Sequence, residues 1–164
     1  NTSLFQLQDF DKHIRESLVS EVHIIEEPLL NYRVRAKGGN ASAISNIVRE
    51  RTFVEKFIVL DHYLKIDDVE FFIEIFGEKA LKYGTPTKET IPYFIARMAI
   101  ESSCSHKRKW GYKTLLEYIS TDEKLQTLTE LYGFSFKDIL GLSKQALTKP
   151  KMDLLKDIAR SFMP

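Results

Sequence analysis

The chain has 164 residues, of which 43% are hydrophobic and 29% are charged, a balance typical of a folded globular protein and not of a disordered one. Its 24 basic and 23 acidic residues leave a net charge of +1, so no global field draws nucleic acid or an acidic membrane to it. One cysteine excludes an internal disulfide framework, and no apolar stretch approaches the roughly 20 residues that span a bilayer. The composition therefore predicts a soluble, cytoplasmic protein.

The first predicted element is a short helix over residues 8 to 19. Three apolar residues recur along it at intervals of four and form one face, namely Phe10, Ile14 and Leu18. Asp9 and Asp11 stand near its start, where a carboxylate can cap backbone N–H groups or face water. The pattern alone therefore favours a structural role for both acids.

The apolar period changes after residue 20. Three β-branched residues lie close together at Val22, Ile24 and Ile25. Pro28 then prevents a simple helical continuation while tolerating the end of a strand. We expect a strand at about residues 21 to 25, a second extended piece over residues 29 to 34, and a glycine-containing loop at residues 37 to 40.

From residue 42 onward the sequence predicts helices almost throughout. The first of them carries two adjoining apolar stripes, so we expect it to bury a wide face. One stripe consists of Phe53, Phe57, Leu60 and Leu64, and the other of Ile47, Val54 and Ile58. About 120 residues of helical sequence can close their own core, since unaided domains need roughly 40.

Capping residues mark the later helices. Asp67 or Asp68 can cap a helix from Val69 to Phe76 that Gly77 ends. Pro92 fits the first turn of the helix that follows. These residues fix the start and the end of the best-defined helical segments.

Four further helices complete the predicted chain. One lies near residues 112 to 119, and the next follows the capping candidate Asp122 and ends at Gly133. Ser135 with Asp138 then resembles a capping box. A last amphipathic helix is expected after Pro150.

Residues 106 to 110 form the one concentrated basic run, and it contains the only tryptophan. Such a run can bind a base, a sugar or a lipid headgroup, but a solvated loop between helices whose tryptophan packs inward is the interpretation we prefer. We therefore expect no nucleic-acid partner. The four histidines have no cysteine, histidine or carboxylate at ligand spacing, so we predict no metal site in this chain.

The order of motifs from Leu7 to Ala43 resembles that of family 2 glycosyltransferases. A Gln-Asp-x-Asp motif at residues 8 to 11 is followed by a helical turn, a short apolar strand, Glu-Pro-Leu-Leu-x-Tyr-Arg at residues 27 to 33, and an Asn-Ala-Ser loop at residues 40 to 42. The helical stretch from Arg49 to Leu142 is similar to a C-terminal extension of some bacterial members. The resemblance therefore covers most of the chain.

The resemblance implies roles for particular residues. The family's Gln-Asp motif lies below the acceptor site, which makes Asp9 the implied catalytic base and Gln8 its implied substrate-binding neighbour, while Asp11 supports the helix. Lys12 and His13 depart from the family, where an apolar pair commonly follows the second acid.

Tyr32, Arg33 and Arg35 are the other implied substrate-binding residues. Guanidinium groups are suited to holding a diphosphate leaving group. The alternating pattern is equally explained by a strand with one face inside and the other in water. Arg35 stands where relatives with a metal-binding histidine carry that ligand, so this segment offers no third metal ligand.

The implied fold class is mainly α, with a short α+β remnant of a GT-A catalytic domain at residues 1–42 and a multi-helix domain at residues 43–164. The donor-binding half and its divalent metal, Mg or Mn, would lie upstream, and that upstream domain would be the chief partner. The whole protein would transfer a sugar from a nucleotide sugar to a glycan or lipid-linked acceptor, as in cell-envelope polysaccharide synthesis. We expect this fragment to hold no cofactor and to be inactive alone.

Other interpretations stay open at this point. The chain can instead be a stand-alone helical interaction module that docks a partner through Phe71, Phe72 and Phe76. Peripheral contact with the inner face of the membrane and assembly into a homo-oligomer are both compatible with the sequence. A contiguous exposed patch of the three phenylalanine rings would support the interaction module. Burial of the rings against neighbouring helices would remove the only feature that favours it.

Overall fold

A computed structural model describes residues 3–31 and 45–148, and these residues are mainly helical. They contain seven α-helices: α1 Gln8–Ser17, α2 Asn46–Leu60, α3 Val69–Phe76, α4 Ile91–Ile100, α5 Ser105–Tyr118, α6 Asp122–Tyr132 and α7 Phe136–Leu147. The mainly helical fold class is thus confirmed. None of these helices is long and apolar enough to cross a membrane.

The chain divides into two compact units, residues 1–65 and residues 66–164. This division falls after the short 3₁₀ helix Asp61–Lys65, which continues directly from α2. The domain boundary predicted between residues 42 and 43 lies outside the described residues. The division into a catalytic remnant and a helical domain at that point stays a prediction.

The first unit packs α1 against α2 around a small apolar core. Leu4, Ile14 and Val59 are buried in it, with Leu7, Leu18 and Tyr63 packed around them. The helix predicted over residues 8 to 19 is confirmed as α1, although Phe10 is 55% exposed and does not share the buried face. Ile14 and Leu18 of the predicted stripe face the core, and Asp11 is buried beside them in place of Phe10.

The structure does not show the two predicted strands. Residues 18–31 form turns and irregular chain, and the rest of the second strand, residues 32 to 34, lies outside the described residues. Strand formation requires a neighbouring strand that completes the ladder of hydrogen bonds, and the described residues offer none. The apolar side chains of this segment are exposed, with Ile24 at 78% and Leu30 at 92%.

The prediction that the first long helix buries a wide apolar face is wrong for α2. This helix buries only Glu55 and Val59. The second predicted stripe, Ile47, Val54 and Ile58, is exposed. Ser45 caps the helix, since its Oγ accepts a hydrogen bond from the Val48 N–H at 3.2 Å.

In the second unit, the caps predicted for α3 and α7 are confirmed, whereas Asp122 is the first residue of α6 and Thr121 stands at its N-cap position without a side-chain hydrogen bond. Asp68 Oδ1 accepts the Phe71 N–H at 2.8 Å, which fixes the start of α3, and Gly77 follows its end with a φ of 56°. Ser135 and Asp138 form the expected capping box of α7. Gly133 ends α6 in the left-handed conformation, which glycine adopts without the steric cost of a Cβ.

Helix α4 lies at the centre of the second unit and packs closely on α5. Six of its residues are buried: Ile91, Tyr93, Phe94, Ile95, Ala96 and Ile100. The close approach depends on Gly111 of α5, because a Cβ at this position would stand 2.7 Å from the Ala96 carbonyl oxygen. Aromatic rings extend this core, with Tyr93 stacked on Tyr132 at 5.6 Å.

We predict that Gly111→Ala lowers the free energy of unfolding by about 1–3 kcal/mol, because the added methyl group forces the α4 backbone away. Gly141→Ala is the matched control, since α7 leaves open space there and the exchange removes only glycine's entropy cost, a gain of about 0.5–1 kcal/mol. Urea unfolding followed by circular dichroism measures both. Equal effects of the two substitutions would contradict the close-approach argument.

Candidate functional site

The candidate site lies at the start of α1 in the first unit. Asp9 is in the first turn of the helix and its side chain is exposed. Gln8 precedes it, also exposed, and its side-chain amide donates a hydrogen bond to the Leu4 carbonyl. The structure therefore brings together two of the five residues implied by the family resemblance, and it leaves the Asp9 carboxylate open to solvent.

Asp11, two residues beyond Asp9, is in the opposite situation. Its side chain is fully buried, with Oδ1 2.7 Å from His62 Nε2 and Oδ2 accepting a hydrogen bond from Arg15 Nε at 3.0 Å. Burial alone would raise the pKa of Asp11, but the bonds to His62 and Arg15 outweigh it and lower the pKa to about 2. The carboxylate therefore stays charged and fixes α1 to the turn after α2, which matches the supporting role expected of it.

A third carboxylate holds the chain that leads into α1. Glu55 of α2 is buried, and its two oxygens accept the backbone N–H groups of Phe5, Gln6 and Leu7 at 2.9, 2.8 and 2.9 Å. Burial would raise the pKa of Glu55, but these three donors, with Arg51 nearby, lower it. Hydrogen bonds to a charged group contribute roughly 1.5–3 kcal/mol each, so Glu55 is a principal anchor of this segment.

Neither Glu55 nor His62 was predicted to anchor another segment. Both stand on apolar helical segments and meet their partners across about 50 positions of the chain. An acid among apolar residues, as in Phe-Val-Glu-Lys-Phe-Ile, is a weak signal of a buried carboxylate.

The structure gives no position for the three other residues implied by the resemblance. Tyr32, Arg33 and Arg35 lie outside the described residues. Lys12 and His13, which depart from the family pattern, are exposed on α1, and Lys12 pairs with Glu16 at 3.6 Å. The two residues that replace the family's apolar pair therefore lie on the solvent-exposed side of α1.

The basic run at residues 106–110 belongs to α5 and not to the loop that we expected. Trp110 packs inward as predicted and is fully buried. Arg108 is also buried, and its guanidinium donates to the carbonyl oxygens of Ser102 and Ser103 at 3.1 and 2.7 Å. Only Lys107 and Lys109 of the run are exposed, which leaves a small basic surface.

The three phenylalanines of α3 do not form an exposed patch. Phe72 is fully buried against Phe94, and Phe71 and Phe76 are partly buried. Within residues 3–31 and 45–148, no group of three or more histidine, cysteine, aspartate or glutamate side chains is arranged to hold a metal ion.

No family model, no curated protein and no solved structure matches this chain.

We predict that acid removes the stabilisation that Asp11 supplies. Folding lowers its pKa from 3.8 to about 2, so the contribution is complete above about pH 3.8 and is lost as the pH falls through about 2. The full contribution is about 2 kcal/mol. The difference in unfolding free energy between the wild type and Asp11→Asn, followed through α1 amide NMR signals, should therefore shrink by about that amount between pH 6 and pH 2. A difference that stays constant with pH would contradict the assignment.

Proposed function

We propose that this chain is the C-terminal part of a bacterial family 2 glycosyltransferase and that Asp9 is its general base. The proposal rests first on the order of motifs from Leu7 to Ala43, which resembles the closing part of a GT-A catalytic domain. The whole protein would act on the cytoplasmic side of the membrane and transfer a sugar from a nucleotide sugar to a glycan or lipid-linked acceptor.

The contrast between Asp9 and Asp11 is the observation that carries the proposal. A general base must be reachable by the acceptor hydroxyl and must be held in place. Asp9 is exposed, while Asp11, two residues away, is buried and bonded to His62. Of the two acids in the motif, Asp9 is the one exposed to solvent, which supports it as the base.

In the proposed reaction Asp9 accepts the proton of the acceptor hydroxyl. The acceptor oxygen forms its bond to the anomeric carbon as the bond from that carbon to the nucleoside diphosphate breaks. Tyr32, Arg33 and Arg35 would contact the leaving diphosphate, whose charge guanidinium groups are suited to hold. A divalent metal bound upstream would supply further stabilisation of that charge.

The exposed apolar segment after α1 also supports a missing catalytic half. Val22, Ile24 and Leu30 are at least 62% exposed in irregular chain. Val22 and Ile24 are β-branched, a character that suits strands that pair with a sheet. We propose that residues 21–25 and 29–34 become strands of the remnant α+β domain when the upstream sheet is present.

We predict that Asp9→Asn in the full native chain lowers sugar transfer by about 10²–10⁴-fold, since general-base catalysis is lost while the side-chain volume is kept. Release of nucleoside diphosphate from a panel of UDP-, GDP- and dTDP-sugars, with and without glycan acceptors, measures it. Asp122→Asn is the matched control, because Asp122 is another exposed aspartate in the first turn of a helix. Transfer at the wild-type rate by Asp9→Asn would refute the proposed base.

The mass and sequence of the protein purified from its source come before this assay. An upstream α/β segment with an Asp-x-Asp motif is the expected result. A native chain that begins near Asn1, or sugar transfer by residues 1–164 alone, would contradict the proposal.

We also predict that Ile24→Ala has different effects in the two chains. In residues 1–164 the side chain is 78% exposed, so the substitution changes the unfolding free energy by less than about 0.5 kcal/mol. In the full chain a buried strand residue would cost about 2–5 kcal/mol. Equal small effects in both chains, measured by urea unfolding, would show that nothing covers this segment.

A further inference from the structure

Two buried carboxylates tie α1 and α2 together from both ends. Glu55, on α2, binds the backbone of residues 5–7 immediately before α1. Asp11, on α1, binds His62 in the 3₁₀ helix that continues α2. In the first contact α2 supplies the carboxylate and the segment before α1 supplies the donors. In the second contact α1 supplies the carboxylate and the 3₁₀ helix after α2 supplies the donor.

Asp9 lies between these two anchors. Residues 5–7 are fixed by Glu55 on one side of it, and Asp11 is fixed on the other. The ten residues of α1 are too few for a stable isolated helix, and only three of the described residues form the buried apolar core of this unit. The polar contacts, more than apolar packing, therefore set where the first turn of α1 stands.

We infer that Glu55 and His62 are positioning residues for the Asp9 carboxylate. This inference rests on the proposed function and goes beyond it, because both residues come from the helical part of the chain that follows residue 43. The helical extension is then not a separate accessory. Its first helix and the turn after it hold the base in place for the acceptor hydroxyl.

The geometry also indicates which substitutions separate the two contacts. Glu55→Gln keeps the side-chain volume but leaves one carbonyl oxygen for three N–H donors. His62→Leu removes the donor to Asp11, whereas His62→Gln keeps an N–H group that can reach the same oxygen. Glu50→Gln is the control, because Glu50 is an exposed acid on the same helix.

The first measurement is amide hydrogen exchange on the 164-residue chain. Glu55→Gln and His62→Leu are expected to raise exchange in α1 by about tenfold or more and to leave α4 and α5 unchanged, while Glu50→Gln changes neither. His62→Gln is expected to restore most of the protection. Unchanged exchange in α1 for both Glu55→Gln and His62→Leu would overturn the inference without any assay of activity.

The second measurement is kcat and KM of the full native chain with the nucleotide sugar that it turns over. Positioning predicts a kcat about 10–100-fold lower for His62→Leu and Glu55→Gln, a KM within about twofold of wild type, and recovery in His62→Gln. A merely structural role predicts an unchanged kcat per folded molecule, and that result would overturn the inference.

The two proposals fail in different ways. If Asp9→Asn keeps full activity, the assignment of the base is wrong, whatever the exchange data show. If Asp9→Asn is inactive while His62→Leu and Glu55→Gln keep the wild-type kcat, the base stands and the positioning role is wrong.

Discussion

A carboxylate that leaves water must find hydrogen-bond donors in the protein, and this constraint organises the first unit. Glu55 meets it with three backbone N–H groups, and Asp11 meets it with His62 and Arg15. Glu55 finds its three backbone donors, and Asp11 finds His62, on the other segment, so a shift of either helix would break hydrogen bonds to a buried charge. The exposed position of Asp9 follows from that arrangement.

The second unit depends on a different principle. It is held by close helix packing and by stacked aromatic rings around Tyr93 and Phe94, with buried polar groups in a minor role. Apolar packing tolerates many sequences that fill the same volume, whereas a buried ion pair requires particular partners. The two units thus differ in how far their stability depends on individual side chains.

The sequence-based predictions succeeded where the interacting residues are close together along the chain, and failed where they are far apart along it. Asp68, Gly77 and the Ser135–Asp138 pair act within a few residues, so the helix ends they define were predictable. Two strands were predicted after α1 and are not shown in the described residues, because strand formation depends on a neighbouring strand that these residues do not supply. Glu55 and His62 were missed because their partners stand about 50 residues away and the apolar residues around Glu55 are only a weak local signal.

The burial of Trp110 in α5 gives the protein an optical label. It is the only tryptophan in the chain, and it lies in the second unit, one residue before the glycine at the α4 contact. Tryptophan fluorescence therefore reports the packing of the second unit alone, while the far-UV signal reports helices of both. Comparison of the two signals during denaturation can distinguish unfolding of the first unit from unfolding of the second unit.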